Sequence, residues 1–312
     1  MWLALVAAKM HVDDPIWKGR GLHSLDMLRA IFAAALIALS AACATVPPVQ
    51  QVFAFGRDGV AVGSPRPCTG GVPANDASTA AEPLPGPTLR VLSWNLHKNG
   101  DLGWDTDLAR FAAGSDLLLI QEAALTVGLQ RVLASAGYDG QLASSFALDG
   151  QETGVLNAAR VRPASVCAQR FSEPLLQLPK SAVITRYVVR GTTEQLAVAN
   201  VHSINFVPGL GEYRAQLEAI ARELADHHGP VIVAGDFNTW SSMRVEVVND
   251  VTRRMGLASV PPPIDTRSRF LGHQVDYIFV RGLEVVHAEA PEVKSSDHNP
   301  VLATLRVSGA QR

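Results

Sequence analysis

Cysteine is scarce: three in 312 residues, at positions 43, 68 and 167, too few for a disulfide-built scaffold and too scattered for the closely spaced pairs of a structural zinc site. Excess base is missing as well. Lys and Arg number 27 against 29 Asp and Glu, a net charge of −2, so charge alone does not hold an extended polyphosphate non-specifically. The one long apolar stretch, Ala30 to Ala42 (AIFAAALIALSAA), is too short to cross a bilayer comfortably. What is present is ordinary globular composition, 47% hydrophobic and 18% charged with 25 Gly, which excludes a chain disordered throughout or collagen-like.

The apolar stretch follows Arg29 and reads as a signal-peptide core. Met27 lies directly before it, so Met27 is a candidate true start. Cys43 follows the small residues Ser40, Ala41 and Ala42, the arrangement of a bacterial lipoprotein signal in which the cysteine is acylated. Ordinary cleavage near Ala42 or Ala44 is the alternative. Either way the protein is expected to be exported, as a periplasmic protein or a lipoprotein attached to the membrane through lipidated Cys43. Cys68 and Cys167 then remain as an even pair in an oxidising compartment, either bridged or left as two thiols. Residues 1–43 are thus expected to be a leader, and 44–88 a linker on the strength of the Pro, Ala and Gly in Val72 to Thr88. A catalytic domain over 89–307 and a tail over 308–312 complete the expected organisation.

After the linker the pattern turns into alternating strand and helix signals. Leu89 to Trp94 is strand-like, Trp104 to Ala113 helix-like, and Asp116 to Ile120 a nearly continuous apolar run. Gln195 to Val201, a helix from about Glu212 to His227, and Pro230 to Gly235 repeat that grammar. Ser181 to Val189, Val275 to Val280 and Pro300 to Val307 suit strands of a mixed or antiparallel sheet. An α/β fold with two packed sheets accommodates the mixture.

Ligand-type residues end or punctuate these strands: Asn95 after Trp94, Glu122 after Ile120-Gln121, His202 after Val201, Asp236 and Asn238 after Gly235, Asp276 after Val275, and Asp297-His298 after Ser296. The carboxyl ends of strands form the ligand crevice of open α/β sheets, so these side chains can converge on one site. Each has a plainer reading alone. Glu122 can be a solvated loop residue, Asp236-Phe237-Asn238 an Asx turn, and His202 a satisfied strand-end histidine. If Glu122 is instead buried, its carboxylate demands a cation. Asp276 is suited to orienting a histidine. Lys98, Lys180, Arg186, Arg214, Arg267 and Arg269 are candidate phosphate contacts, Thr266 to Phe270 the favoured loop among them.

Taken together, Ser93-Trp94-Asn95, Ile120-Gln121-Glu122, Asn200-Val201-His202, Gly235-Asp236-Phe237-Asn238, Val275-Asp276-Tyr277 and Ser296-Asp297-His298-Asn299-Pro300 resemble, in order, the motifs of the endonuclease/exonuclease/phosphatase superfamily with its DNase I-like fold. The resemblance spans roughly Leu89 to Arg306 and is similar to a little-characterised bacterial branch. It implies a four-layer sandwich with helices on the outer faces, and hydrolysis of phosphate esters with Mg²⁺ or Mn²⁺. It also implies that Glu122, Asn95 and Asp297 hold the cation, that Asp236 activates water, that Asn238 fixes phosphate or that water, and that His298, oriented by Asp276, and His202 contact phosphate or leaving oxygens. A phosphodiesterase or nuclease acting on DNA or nucleotides is the leading expectation. A phospholipid or phosphoinositide head-group phosphoesterase and a non-catalytic exported binding lipoprotein are the alternatives.

Overall fold

The computed structural model describes residues 44–56, 59–63, 66–68, 82–174, 177–207 and 209–308. The chain divides into Met1–Thr45 and Val46–Arg312. Only Ala44 and Thr45 of the first unit are described, so the expected leader, with Met27 and Cys43, lies outside the described residues, as do 69–81 of the expected linker and 309–312 of the tail.

In the second unit the strands are β1 (Val52–Gly56), β2 (Gly59–Gly63), β3 (Thr88–Asn95), β4 (Leu117–Ala124), β5 (Asp139–Leu148), β6 (Gln151–Ala159), β7 (Ser165–Phe171), β8 (Lys180–Tyr187), β9 (Leu196–His202), β10 (Val231–Asp236), β11 (Asp276–Arg281), β12 (Leu283–Glu289) and β13 (Val301–Val307). The helices are α1 (Trp104–Ala113), α2 (Val127–Ser135), α3 (Gly211–Glu223) and α4 (Ser242–Arg254). One sheet runs β12-β13-β3-β4-β6-β5-β1-β2, and the other runs β11-β10-β9-β8-β7 with Ala258–Ser259 and Arg66–Pro67 at its two edges. Within each sheet one central pair is parallel, β3 with β4 and β9 with β10. Each of these pairs is joined through a helix, α1 or α3, because parallel neighbours need a crossover.

Period-two alternation distributes the apolar side chains between two faces of each sheet. Leu89, Val91, Leu117 and Leu119 meet Leu196, Val198, Ile232 and Ile278 in the core between the sheets. Leu92, Trp94, Leu118 and Ile120 face outward onto Leu108 of α1 and Leu129 of α2, while Ala199, Val201 and Val233 face Leu217 of α3 and Val247 of α4. The result is the expected α/β/β/α sandwich. Helices α2 and α4 carry side-chain N-caps, Thr126 accepting from Leu129 N at 3.1 Å and Ser241 from Arg244 N at 3.4 Å.

A polar seam crosses the inter-sheet core. Gln121 Nε2 donates to Asn200 Oδ1 at 2.7 Å, Asn200 Nδ2 donates to Leu156 O at 3.0 Å, and Asn157 Nδ2 donates to Thr185 Oγ1 at 2.9 Å. All four of these side chains are buried.

Part of the expected linker belongs to the fold, which corrects the 44–88 boundary. The β1-β2 hairpin extends the first sheet by pairing with β5, Val52 opposite Ala143 and Phe55 opposite Gly140. Phe55 is buried, and Gly140 leaves room for its ring, since a Cβ there would lie 2.4 Å from it. Leu84 is also buried in the inter-sheet core. Cys68 and Cys167, separated by 99 residues, form a disulfide, beside the parallel pairing of Arg66–Pro67 with Cys167 and Ala168. The helix expected to reach His227 ends at Glu223.

Candidate active site

The strand ends are brought together along one edge of the sandwich. β3, β4, β9 and β10 all finish there, and β11, antiparallel to β10, begins there, so His202 lies opposite Asp236 and Asp236 opposite Asp276 in the ladder. Gly235 permits this spacing: its φ is +138°, and a Cβ would lie 2.0 Å from Val201 O.

Buried Asp236 is the hub. Its Oδ2 accepts from Asn95 Nδ2 at 3.1 Å, and its Oδ1 accepts from Asn238 N at 2.9 Å. The same Oδ2 lies 3.4 Å from His202 Nε2 and 4.0 Å from His298 Nε2. Asn238 adopts a left-handed φ of 49° and donates through Nδ2 to Ser203 O at 2.8 Å.

His298 is oriented from behind by Asp276, whose Oδ2 is 2.7 Å from Nδ1. Burial favours the neutral ring, but the charge of Asp276 and its hydrogen bond, with Asp236 and Asp297 adding to them, push the His298 pKa up to about 10. His202 goes the other way. Burial and the Lys180 ammonium push it down to about 4, against the pull of Asp236 and Glu122. Two imidazoles around one carboxylate are thereby held in opposite protonation states.

Glu122 sits across the crevice on an interruption of the β4-β6 register between Ile120 and Ala123, with φ at 49°. Such a bulge re-aims a side chain that strict alternation would bury. Lys98 pairs with Glu122 Oε2, and Lys180 Nζ and His202 Nε2 each lie 3.7 Å from Oε1. Burial opposes ionisation, yet Lys180, His202 and Lys98 outweigh it and hold Glu122 well below the usual carboxylate range.

The structure therefore joins Asn95, Glu122, His202, Asp236, Asn238, Asp276 and His298 in one network of contacts. Asp297 stands at its rim, its side chain 59% exposed and its Oδ1 3.9 Å from His97 Nδ1. Ser296 ties that segment to β3, its Oγ donating to Asn95 O at 2.7 Å and accepting from His298 N at 3.1 Å. Among the candidate phosphate contacts, Lys98 and Lys180 are at the site, and Arg267 donates to Asp276 O at 3.1 Å while pairing with Asp265. Arg186 is buried against Glu223 and Arg214 pairs with Asp250, both away from the crevice. Arg269 donates to Gly272 O at 3.0 Å. Sequence reasoning missed the pairing of both lysines with Glu122. The proximity of Lys98 to Asn95, and of Lys180 to the start of β8, was the available signal.

The donor set fits a hard divalent cation. Ligand atoms of Asp236, Asp276 and His298 lie within 4.8 Å of one another and Asp276 Oδ1 is buried without a hydrogen-bond partner, whereas Glu122 is paired with Lys98 and Lys180 and turns to a cation only by releasing them. A larger depression of about 660 Å³, lined by Gly191, Arg281 and Ser308, lies near the opposite ends of β10 and β11.

The description of the Endonuclease/Exonuclease/phosphatase family matches residues 92–298, a span that holds every member of this network. The chain belongs to the endonuclease/exonuclease/phosphatase family. Enzymes of this family typically hydrolyse phosphate esters and generally use divalent metal. A UPF0294 protein of Vibrio cholerae serotype O1 is 41% identical over 220 residues, covering 70% of this chain and 78% of its own. Among solved structures, an endonuclease/exonuclease/phosphatase from Beutenbergia cavernae aligns with a TM-score of 0.58 at 20% identity, covering 72% of each chain. The human Nocturnin catalytic domain, with bound sulfate anion, aligns with a TM-score of 0.56 at 18% identity, covering 72% of this chain and 96% of its own. These structural likenesses establish the DNase I-like fold.

Proposed function

We propose that this protein is a metal-dependent phosphoesterase of the phosphodiesterase or nuclease kind, using Mg²⁺ or Mn²⁺ and an aspartate-activated water. The carrying observation is the convergence of Asn95, Asn238, His202 and His298 on Asp236, with Asp276 behind His298.

Asp236 is the base in this reading. It aligns a water for in-line attack on phosphorus and takes its proton, while the Asn95 amide and the Asn238 backbone N–H fix the carboxylate. His298, charged and oriented by Asp276, donates from Nε2 to a non-bridging phosphate oxygen. In the resting site the neutral His202 accepts at Nε2 from Lys180 Nζ at 3.1 Å, and it donates to phosphate or to the leaving oxygen once the negative phosphate draws a proton onto that ring nitrogen. Asn238 Nδ2 is available to orient phosphate or water if it leaves Ser203 O. Glu122, Asn95 and Asp297 would hold the cation, which when bound offsets charge on the scissile phosphate and its leaving oxygen.

The disulfide between Cys68 and Cys167 supports export to an oxidising compartment, in line with the leader read from residues 1–43. Attachment through lipidated Cys43 is part of the same proposal.

The test is hydrolysis of bis-p-nitrophenyl phosphate, single-stranded DNA and plasmid DNA, stripped with EDTA and restored with Mg²⁺ or Mn²⁺. Activity is expected to return with metal, and Asp236→Ala is expected to lose about two to four orders of magnitude in rate while staying folded. Turnover of none of the three with metal present refutes the phosphodiesterase reading, and an Asp236→Ala enzyme retaining most of the wild-type rate refutes the assignment of the base.

A further inference from the structure

Beside the catalytic network a cavity of about 160 Å³ opens, lined by the cations Lys98 and Lys180, the carboxylates Glu122 and Glu173, and the rings of Phe146 and Phe206 among others. The volume is below the roughly 300 Å³ at which small-molecule pockets begin, so the cavity suits one compact group rather than a whole ligand. It adjoins the crevice in which the proposed function places the phosphate, sharing Glu122 and His202 with it.

Phe206 is the informative residue. It is 43% exposed, a position that gains little from burial, yet the short segment presenting it is pinned from four directions. Gln216 Oε1 accepts from Ile204 N at 2.9 Å, and Glu173 Oε1 accepts from Asn205 N at 2.9 Å and from Phe206 N. Arg244 donates to Ile204 O at 2.9 Å and Asn205 O at 2.6 Å, and Trp240 Nε1 donates to Asn205 Oδ1 at 2.8 Å. Glu173 and Arg244 are themselves buried. The Arg244 guanidinium is stacked 4.4 Å from the rings of both Tyr213 and Trp240. Burying two charged side chains to fix three loop residues is costly, and what the loop offers at the cavity is an aromatic face held still.

Charge at the cavity narrows the ligand. Of the three lysines among the described residues, Lys98 and Lys180 converge on this one spot. Lys98 is delivered by three successive left-handed residues, His97, Lys98 and Asn99, at φ 46°, 58° and 57°, a conformation that persists only where its surroundings enforce it. Glu122 and Glu173 line the cavity as well, but Glu173 is engaged by the Asn205 and Phe206 N–H groups. Glu122 is the carboxylate that the proposed function turns to the cation, which leaves Lys98 and Lys180 for a phosphate beside a fixed aromatic face, the combination that binds a nucleotide.

We propose that the cavity between Phe146 and Phe206 is a subsite for the base of a nucleotide whose phosphate lies in the catalytic crevice, so that the substrate is read one nucleotide at a time. This rests on the phosphoesterase reading for the placement of the phosphate, but its binding component can be measured apart from turnover. Phe206 is a specificity residue and takes no part in the chemistry.

The experiment is calorimetric titration of the full-length protein with thymidine 5′-phosphate and with deoxyribose 5-phosphate, which carries the same phosphate and no base. Wild type is expected to prefer the nucleotide by about tenfold or more, Phe206→Ala to lose that preference, and Phe206→Trp to keep it, with deoxyribose 5-phosphate bound alike by all three. No preference in wild type, no binding of either ligand, or a preference that survives in Phe206→Ala each overturns the subsite. Turnover of bis-p-nitrophenyl phosphate is recorded alongside. Turnover without a base preference sinks the subsite alone, whereas a Phe206-dependent preference without turnover upholds the subsite and sinks the hydrolytic reading.

Discussion

Asp276 has no contact with a reacting atom in the proposed mechanism, so its whole effect must pass through His298. Asp276→Asn removes the carboxylate 2.7 Å from His298 Nδ1 while nearly preserving shape at a buried position. A hydrogen bond to a charged group contributes roughly 1.5–3 kcal/mol, which corresponds to about ten- to a hundredfold in rate if the bond serves the transition state. His298→Ala removes the phosphate donor itself and is expected to cost about two to four orders of magnitude. The double variant is then expected to be no slower than His298→Ala alone, because without the imidazole there is nothing left to orient. The assay is kcat and KM on bis-p-nitrophenyl phosphate at saturating Mg²⁺, with thermal melts to verify folding. Asp276→Asn should lower kcat with little change in KM. Losses that multiply in the double variant would refute the idea that Asp276 acts through His298.

Two further outcomes probe the frame around the site. Gly235→Ala places a methyl 2.0 Å from Val201 O at φ +138°, so it is expected to destabilise the protein by about 3 kcal/mol or more or to prevent folding; a wild-type urea midpoint would contradict the packing of β9 on β10. Reduction of the Cys68–Cys167 disulfide opens a loop spanning 99 residues, for which chain entropy predicts a loss of about 4 to 5 kcal/mol in urea unfolding. Hydrolysis should survive that reduction under native conditions, and an unchanged unfolding midpoint would show that the bridge does not constrain the unfolded chain.

Much of the site was legible because its residues sit where an apolar strand stops. Asn95, His202 and Asp236 end strands, Asp276 begins one, and His298 lies just before one, so a pattern reading finds them without knowing the sheet order. Glu122 was legible by position, but the bulge that re-aims it was not, because the register break depends on its pairing with β6. The β1-β2 hairpin was hidden for a similar reason: Val52 to Gly63 is short and neighbours a Pro/Gly-rich stretch, and only the open edge of β5 makes it a strand pair. Helix α4 was missed because its apolar face, Val247, Val248 and Val251, is built from β-branched residues of weak helix propensity. Arg244 gave no signal at all, since a buried guanidinium bound to backbone carbonyls looks like any surface arginine in sequence.

The amide seam between the sheets governs how the two halves of the crevice face each other. Gln121 is the residue before Glu122, and Asn200 is two residues before His202, so the 2.7 Å bond between Gln121 and Asn200 sets the stagger of one sheet against the other right behind the chemistry. Slippage by a single residue would strand amides in an apolar interior and carry the Glu122 side away from the Asp236 side. Greasy packing alone tolerates small sliding; a directional bond does not. The seam thus acts as an alignment key, and variants that replace it with aliphatic side chains could gain stability while losing the alignment on which hydrolysis depends.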